Sequence, residues 1–264
     1  MDMSATVNSS ALRRLFHALT LTLPGALGFG VFPLQAVDFH TNSTAQFLAY
    51  SARVFSTAQK NFEASPTNPA AACEFARAAF DRGEFATNDT ERASLAVQGI
   101  AACRQVLKLD AKSVPAHFYL GLNLGQLART KMLGALPLVD EMEGSFKKAR
   151  QLDEQFAFAG SDRFLGLLYL QAPGWPTSVG SKSKARSHLQ RAVILAPEYP
   201  ENRLNLAEAY LRWRETVAAR REIQAVEILL PSAKTNFTGE AWAASWADWE
   251  TRLAKARKKL GKSD

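Results

Sequence analysis

Residues 204–231 read LNLAEAYLRWRETVAARREIQAVEILLP. Small and apolar residues recur at helical spacing in both halves of this stretch, at Leu206, Ala207, Tyr210, Ala219, Ile223 and Val226. Apolar residues three or four positions apart indicate amphipathic helices. Pro231 closes the second half, since proline does not continue a helix. The stretch therefore predicts a hairpin of two helices.

The second half of this hairpin recurs along the chain. Three earlier stretches have the same order of an apolar residue or Cys, a small or β-branched residue three positions on, and then Leu: CRQVLKLDA (103–111), FKKARQLDE (146–154) and LQRAVILAP (189–197). The ends at 111, 154, 197 and 231 lie 43, 43 and 34 residues apart. A period of this length indicates a solenoid of stacked repeats. Leu and Ala dominate and Gly is sparse, so we expect an all-α protein.

The spacing of 34 residues and the residue pattern resemble the tetratricopeptide-repeat (TPR) family. That family places Leu-Gly or Leu-Ala and an aromatic residue in a first helix (helix A), Ala in a second (helix B), and Pro at the closing turn. The corresponding residues are Leu206-Ala207, Tyr210, Ala219 and Pro231 in the last unit, Leu165-Gly166, Tyr169, Ala185, Ala192 and Pro197 before it, and Leu120-Gly121, Leu124, Phe146 and Ala149 before that. The resemblance implies an all-α, TPR-like α-solenoid of helical hairpins. It implies little about function.

About four TPR-like hairpins fall in residues 69–231, at 69–111, 112–154, 155–197 and 198–231. A solenoid needs terminal elements that cover its last repeats. Residues 37–68 predict an N-terminal capping helix, and residues 232–264 predict a C-terminal capping helix with a basic tail. In the latter, one face carries Trp242, Trp246, Trp249 and Leu253. We expect these to seal the last repeat, with ligand binding by the tryptophans as the alternative.

In the TPR family, the A helices line a groove that receives a partner. Counting from each Leu-small pair, the resemblance assigns to this groove Phe118, Leu122, Arg163, Leu167, Leu204, Glu208, Leu211 and Arg212. We expect Glu208 to form an ion pair with Arg163 or Arg212. The family's Lys-and-Asn clamp for C-terminal carboxylates is not recognisable at these positions. The leading hypothesis is an exported, non-enzymatic scaffold that binds a protein or peptide, with an envelope transport component as one candidate.

Two A–B connections are longer than the family pattern requires: TKMLGALPLV at 130–139 and APGWPTSVGS at 172–181. Because consecutive A–B turns lie along one edge of a solenoid, the apolar residues of the two loops predict a lip for a partner or ligand. These residues are Met132, Leu133, Leu136, Leu138, Trp175 and Pro176. The alternative is that they pack over the neighbouring repeats, as large exposed apolar patches are unusual.

The stretch APGWPTSVG, followed by a helix with the pattern KA…HL…A, also looks like the T-component proteins of tripartite (TRAP) transporters. This resemblance rests mainly on residues 163–210. It implies an alternative function, an accessory or carrier that holds a small, partly apolar ligand. The chain departs from that family in lacking a lipobox cysteine after its apolar N-terminal run.

Residues 1–36 predict a secretory signal peptide. Arg13 and Arg14 precede an apolar run over 15–34, and Leu34-Gln35-Ala36 offers a small residue for cleavage. We therefore expect a periplasmic or secreted protein. The alternative is a protein anchored in the membrane by an uncleaved N-terminal segment, because the run approaches the length that spans a bilayer.

The two cysteines, Cys73 and Cys103, fall at matching heights on the helices predicted for the first hairpin. In an exported protein this placement predicts a disulfide. The alternative is a pair of independently buried thiols.

Motifs for catalysis or cofactor binding are not recognisable. The histidines lack metal-ligand spacing, and GSKSK at 180–184 lacks the spacing of a phosphate-binding loop. Ser181 or Ser183 is better explained as a helix N-cap. We expect no enzymatic activity, cofactor or metal.

The formal net charge of +7 has an uneven distribution. Six basic residues lie between Arg252 and Asp264, whereas the body of the mature chain is nearly neutral. Binding to duplex nucleic acid needs a broad basic face. We therefore expect no nucleic-acid partner.

Overall fold

The helices begin and end close to where the repeats predict them. The computed structural model describes residues 41–131 and 134–261, and this part of the chain contains ten α-helices. They are α1 (Thr41–Ala64), α2 (Pro69–Glu84), α3 (Asp89–Leu109), α4 (Val114–Arg129), α5 (Leu136–Leu152), α6 (Phe156–Gln171), α7 (Lys182–Leu195), α8 (Pro200–Arg212), α9 (Thr216–Asn236) and α10 (Glu240–Leu260). The predicted signal peptide and the lip residues Met132 and Leu133 lie outside the described residues.

Helix starts carry the expected capping residues. The side chains of Asn68, Asn88, Ser113 and Ser181 each accept a hydrogen bond from a backbone N–H in the first turn of α2, α3, α4 and α7. Such caps satisfy amide groups that have no partner within the helix. Proline occupies the first turn of α2, α4, α5 and α8, where its missing N–H costs nothing.

Four antiparallel hairpins, α2–α3, α4–α5, α6–α7 and α8–α9, stack in sequence and share one hydrophobic core. The small residue of each Leu-small pair explains how closely the helices approach. A Cβ on Gly121 would lie 2.7 Å from the ring of Phe146, and one on Gly166 would lie 2.7 Å from Leu189. Helix A therefore packs on helix B without room for a larger side chain.

The prediction of a turn at Pro231 is wrong, because α9 continues through this residue to Asn236. Ala233 and Phe237, which follow Pro231, are both buried. Their packing against the core favours continuation of the helix over the break that proline alone would cause. The helix-to-helix connection thus lies at Thr238 and Gly239, where Gly239 adopts a φ of 86°.

The start of α6 contains a left-handed turn. Ala157, Phe158 and Ala159 have φ angles of 54°, 57° and 56°, which cost L-residues on the order of 1–2 kcal/mol each. Arg163 donates hydrogen bonds to the carbonyl groups of Ala157 and Phe158, and Asn202 donates to that of Phe158. These side chains hold the turn in place from two hairpins.

Helix α10 covers the end of the solenoid. Trp249 is buried, and its ring contacts those of Tyr199, Phe237 and Trp242. Trp246 is half-buried and donates from Nε1 to the carbonyl group of Phe237 at 2.7 Å. The aromatic face of α10 is thus packed, as expected for a capping helix. Within the described residues, none of the helices has the length and apolar character needed to cross a membrane.

Candidate interaction surface

Most residues predicted to line the groove lie in the packed interior. The buried members are Phe118, Leu122, Arg163, Leu167, Leu204 and Leu211. Phe118 shows the cause, since its ring packs against Phe156 and Phe164 of the next hairpin. The prediction that these six residues face an open groove is therefore wrong. Glu208 is half-buried, and Arg212 is exposed.

The protein's own C-terminal helix occupies the face of α8 that the groove prediction left open. Arg252 of α10 is buried and lies 3.2 Å from Glu201 and 3.1 Å from Glu208. It also donates to Asn205 at 2.7 Å and to Asp248 at 3.0 Å. Because Glu201, Asn205 and Glu208 share one face of α8, this single arginine attaches α10 along that face.

Glu208 lies 3.1 Å from Arg252, a partner that the expected pairing with Arg163 or Arg212 did not include. Arg163 serves the left-handed turn of α6 instead, and its guanidinium lies over the ring of Tyr199 at 4.9 Å from the ring centre. Arg163 is thus a structural residue, shielded from any partner.

At its other end, α10 reaches the N-terminal helix. Arg53 of α1 and Glu240 of α10 form an ion pair at 2.7 Å. A cleft of about 60 Å³ remains between α1, α2 and α10, enough for about two water molecules. Tyr50, Arg77 and Asp81 are among its lining residues. Burial raises the pKa of Asp81 to about 7, although Arg77 opposes this shift. Helix α10 therefore contacts the N-terminal helix as well as the last hairpin.

The long A–B connection of the third hairpin, which we call the Trp175 loop (residues 172–181), is pinned by its backbone. The N–H of Gly180 donates to the carbonyl group of Pro173 at 2.8 Å, and the N–H of Ser181 donates to that of Tyr169 at 2.9 Å. Within the loop, the N–H groups of Thr177 and Ser178 donate to the carbonyl group of Gly174 at 3.1 and 3.2 Å. A Cβ on Gly180 would lie 2.1 Å from the carbonyl oxygen of Ala172. Trp175 projects from this loop with 88% of its surface exposed.

The predicted lip divides into exposed and packed residues. Trp175 and Pro176 are exposed, and Leu136 is 41% exposed at the start of α5. Leu138 is half-buried and packs against the hydrophobic core. The interpretation of packing over neighbouring repeats thus holds for Leu138, whereas Trp175 and Pro176 stay accessible to a partner.

The A–B turns of the third and fourth hairpins lie side by side. Arg186 of α7 donates two hydrogen bonds to Glu215, at 2.6 and 2.9 Å, and Lys182 lies 3.1 Å from the same carboxylate. Both cations also lie over the ring of Trp213. The hydrogen bond from Arg186 lowers the pKa of Glu215, so this carboxylate stays ionised in mild acid. We call the two turns with their flanking residues, 172–186 and 212–217, the turn edge.

The disulfide prediction is wrong in this structure, where Cys73 and Cys103 are free thiols. Both are buried, on α2 and α3 respectively, as in the alternative of two buried thiols. Burial raises the pKa of Cys73 to about 11 and also raises that of Cys103. Buried, protonated thiols of this kind behave as small apolar residues.

A buried carboxylate, Asp162, is the polar feature that sequence reasoning missed in the third hairpin. Arg150 donates to it at 3.0 Å, Nδ1 of His188 lies 2.6 Å away, and Arg191 forms a longer ion pair. The single acidic residue in the run GSDRFLGLLYL (160–170) was the available signal. With two arginines already on its carboxylate, Asp162 ties α5, α6 and α7 together. Over residues 41–131 and 134–261, no three His, Cys, Asp or Glu side chains are grouped to hold a metal.

Comparison with known proteins gives the fold. No family model and no curated protein match the chain. Among solved structures, it is similar to the crystal structure of a thermophilic TPR protein from Thermus thermophilus, with a TM-score of 0.57 and 16% sequence identity. The match covers 81% of this chain and 98% of that protein. The TPR-like solenoid predicted from the repeats is thus confirmed.

Proposed function

We propose that the protein is a non-enzymatic scaffold that binds a protein partner through the Trp175 loop. The exposure of Trp175 on a backbone-pinned loop carries this proposal. Tryptophan is enriched among the residues that dominate binding energy at protein interfaces. A loop already held in shape also loses little conformational entropy when a partner binds.

The packing of α10 on α8 supports the same location. A partner that entered the groove would have to displace α10 and leave the buried carboxylate of Glu201 without Arg252. Removing one partner of a buried ion pair costs several kcal/mol, on the order of 3–5. The turn edge requires no such displacement, because its residues Trp175, Pro176 and Val217 are already accessible.

The alternative function, a carrier for a small and partly apolar ligand, has less support. It predicts a closed pocket near Trp175, whereas this side chain is almost fully exposed. The cleft between α1, α2 and α10 is far smaller than the roughly 300–1,000 Å³ of ordinary ligand pockets. The looser resemblance to T-components stays a prediction.

Site-specific photo-crosslinking tests the scaffold proposal. A benzophenone amino acid at position 175 should capture one protein in the native host, in a complex that forms again from the purified components. The same amino acid at Thr235, an exposed position of α9 outside the turn edge, is the matched control. Equal capture from both positions, or from neither, would contradict the proposal.

Export belongs to the same proposal. The signal peptide predicted for residues 1–36 would direct the scaffold to the periplasm or outside the cell. N-terminal sequencing of the protein from its native host should find a mature chain that begins at residue 37. An intact N-terminus in the membrane fraction would favour the anchored alternative.

A further inference from the structure

The third hairpin has an unusual charge composition. Between Asp162 and Glu198 the chain contains no acidic residue. Its basic residues over this range are Arg163, Lys182, Lys184, Arg186 and Arg191. Arg163 is buried, but the other four lie on α7, where they are exposed or half-buried. Three of these four cations pair with carboxylates of other helices or turns, Arg191 with Glu154 and Asp162, and Lys182 and Arg186 with Glu215.

The turn edge as a whole carries a positive excess. Residues 172–186 and 212–217 contain five basic residues and one acidic residue, a net charge of +4. The acidic residue, Glu215, is already engaged by Lys182 and Arg186. Lys184 lies over the ring of Tyr169, at 5.0 Å from its centre, and Arg214 is exposed. Glu143 of α5 also lies near Lys184, whose charge contributes to lowering the pKa of Glu143. An incoming anionic group would therefore meet an excess of cations that Glu215 and Glu143 only partly neutralise.

Exposed apolar side chains lie within the same turn edge. Trp175 projects from the first turn, and Val217 begins the helix after the second turn with 83% of its surface exposed. A β-bridge between Gly174 and Gly180 forms the neck of the Trp175 loop. Lys182 begins α7 directly after this neck. Apolar and cationic groups are thus presented on one edge of two adjacent hairpins.

We propose that the turn edge binds an acidic peptide segment that carries an apolar side chain. The carboxylates of this segment pair with Lys184, Arg214 and their neighbours, and its apolar side chain packs on the indole ring of Trp175. Opposite charges orient the segment and accelerate its encounter with the surface, while the tryptophan contact supplies apolar burial. This inference rests on the proposed scaffold function and adds the chemistry of the partner.

Fluorescence anisotropy with short labelled peptides tests the charge requirement on the full chain. The probe is a Glu-rich peptide with one central Phe, and the comparison peptides replace Glu by Lys or Phe by Ser. We expect the Glu-rich, Phe-containing peptide to bind most tightly, and its affinity to fall as salt screens the charges. Equal binding of the Lys-rich peptide, or no binding of the Glu-rich probe, would overturn the inference.

Paired variants assign the binding to the turn edge. Lys184→Glu combined with Arg214→Glu should weaken binding of the probe by about tenfold or more, since like charges would then face each other. Lys255→Glu combined with Lys258→Glu makes the same change of net charge on exposed residues of α10 and should alter the affinity by less than about twofold. Circular dichroism confirms that both pairs stay folded. Equal losses in the two pairs would indicate attraction by net charge alone and would overturn the proposal.

A third comparison separates peptide recognition from general attraction of polyanions. Trp175→Ala should weaken the Glu-rich, Phe-containing probe by about tenfold and leave a single-stranded DNA of similar charge unaffected. Tight DNA binding with no dependence on Trp175 in either ligand would overturn the inference. The crosslinking experiment at position 175 is independent of charge, so a captured partner without an acidic segment would overturn this inference alone and leave the scaffold function in place.

Discussion

The guanidinium of Arg252 lies 3.2 Å from the carboxylate of Glu201, with both side chains buried between α10 and α8. The two residues are 51 positions apart in the chain. Their contact joins the capping helix to the last hairpin and fills the face that would otherwise form the end of an open groove. The hydroxyl group of Tyr199 also donates to Glu201, at 3.1 Å. The pair is thus the centre of a buried polar network.

Removing the guanidinium should destabilise the protein strongly. Arg252→Ala removes the guanidinium that lies 3.2 Å from the buried carboxylate of Glu201, a change that costs about 3–5 kcal/mol. Urea unfolding followed by circular dichroism measures this loss. Arg257→Ala is the matched control. Arg257 lies on α10 like Arg252, but it is exposed and pairs with the half-buried Glu227 of α9, so the expected cost is below about 1 kcal/mol. Similar losses in the two variants would show that the Arg252 network does not hold α10.

The tryptophans should separate binding from stability. Trp175→Ala removes a side chain that is 88% exposed, so the free energy of unfolding should change by less than about 0.5 kcal/mol while partner binding is lost. Trp249→Ala empties a buried site among Tyr199, Phe237 and Trp242 and should cost about 3–5 kcal/mol. Thermal melts measure the effect on stability, and affinity measurements with the partner identified by crosslinking measure the effect on binding. A large stability loss in Trp175→Ala would mean that the loop is structural.

The repeat pattern predicted the fold because its residues act locally. Gly121 under Phe146 and Gly166 under Leu189 are contacts within one hairpin, and their spacing is visible in the sequence. The groove prediction, in contrast, depended on a contact between distant parts of the chain, namely the helix that covers α8. Arg252 lies between Trp249 and Leu253 in the sequence, on the buried face of α10, and a charged residue in that setting was the one available signal. Its partners could not be deduced, because they depend on how distant helices align.

A thiol reagent tests whether Cys73 and Cys103 are free thiols and not a disulfide. The thiolate is the reactive form of cysteine, and burial raises the pKa of Cys73 to about 11, so the native protein at pH 8 should react very slowly with a thiol reagent. In denaturant, the unreduced protein should react with the reagent at two thiols per chain, because Cys73 and Cys103 are free. No reaction in denaturant would restore the disulfide prediction.

The raised pKa of Cys73 predicts the direction in which pH changes the stability of the protein. Because the folded protein raises the pKa of Cys73 to about 11 from the ordinary value of 9.0, the unfolded chain loses this proton first. The contribution of Cys73 to stability should therefore fall as the pH rises from about 9 to about 11. Cys73→Ala should lessen the decline in the free energy of unfolding over this range, measured by urea titration at each pH. An unchanged decline would contradict the raised pKa.

The two glycines at the neck of the Trp175 loop offer the sharpest test of its shape. A Cβ on Gly180 would lie 2.1 Å from the carbonyl oxygen of Ala172, which is backbone and has no rotamer to change, so Gly180→Ala must open the neck. The clash should cost about 1–3 kcal/mol and displace Trp175, with a matching loss of crosslinking from that position. Gly174→Ala is the control, because its Cβ would come no closer than 3.8 Å to the carbonyl oxygen of Gly180. If both variants bind the partner as tightly as the unchanged protein does, the fixed shape of the loop contributes nothing to the affinity. Binding would then depend on the tryptophan side chain alone.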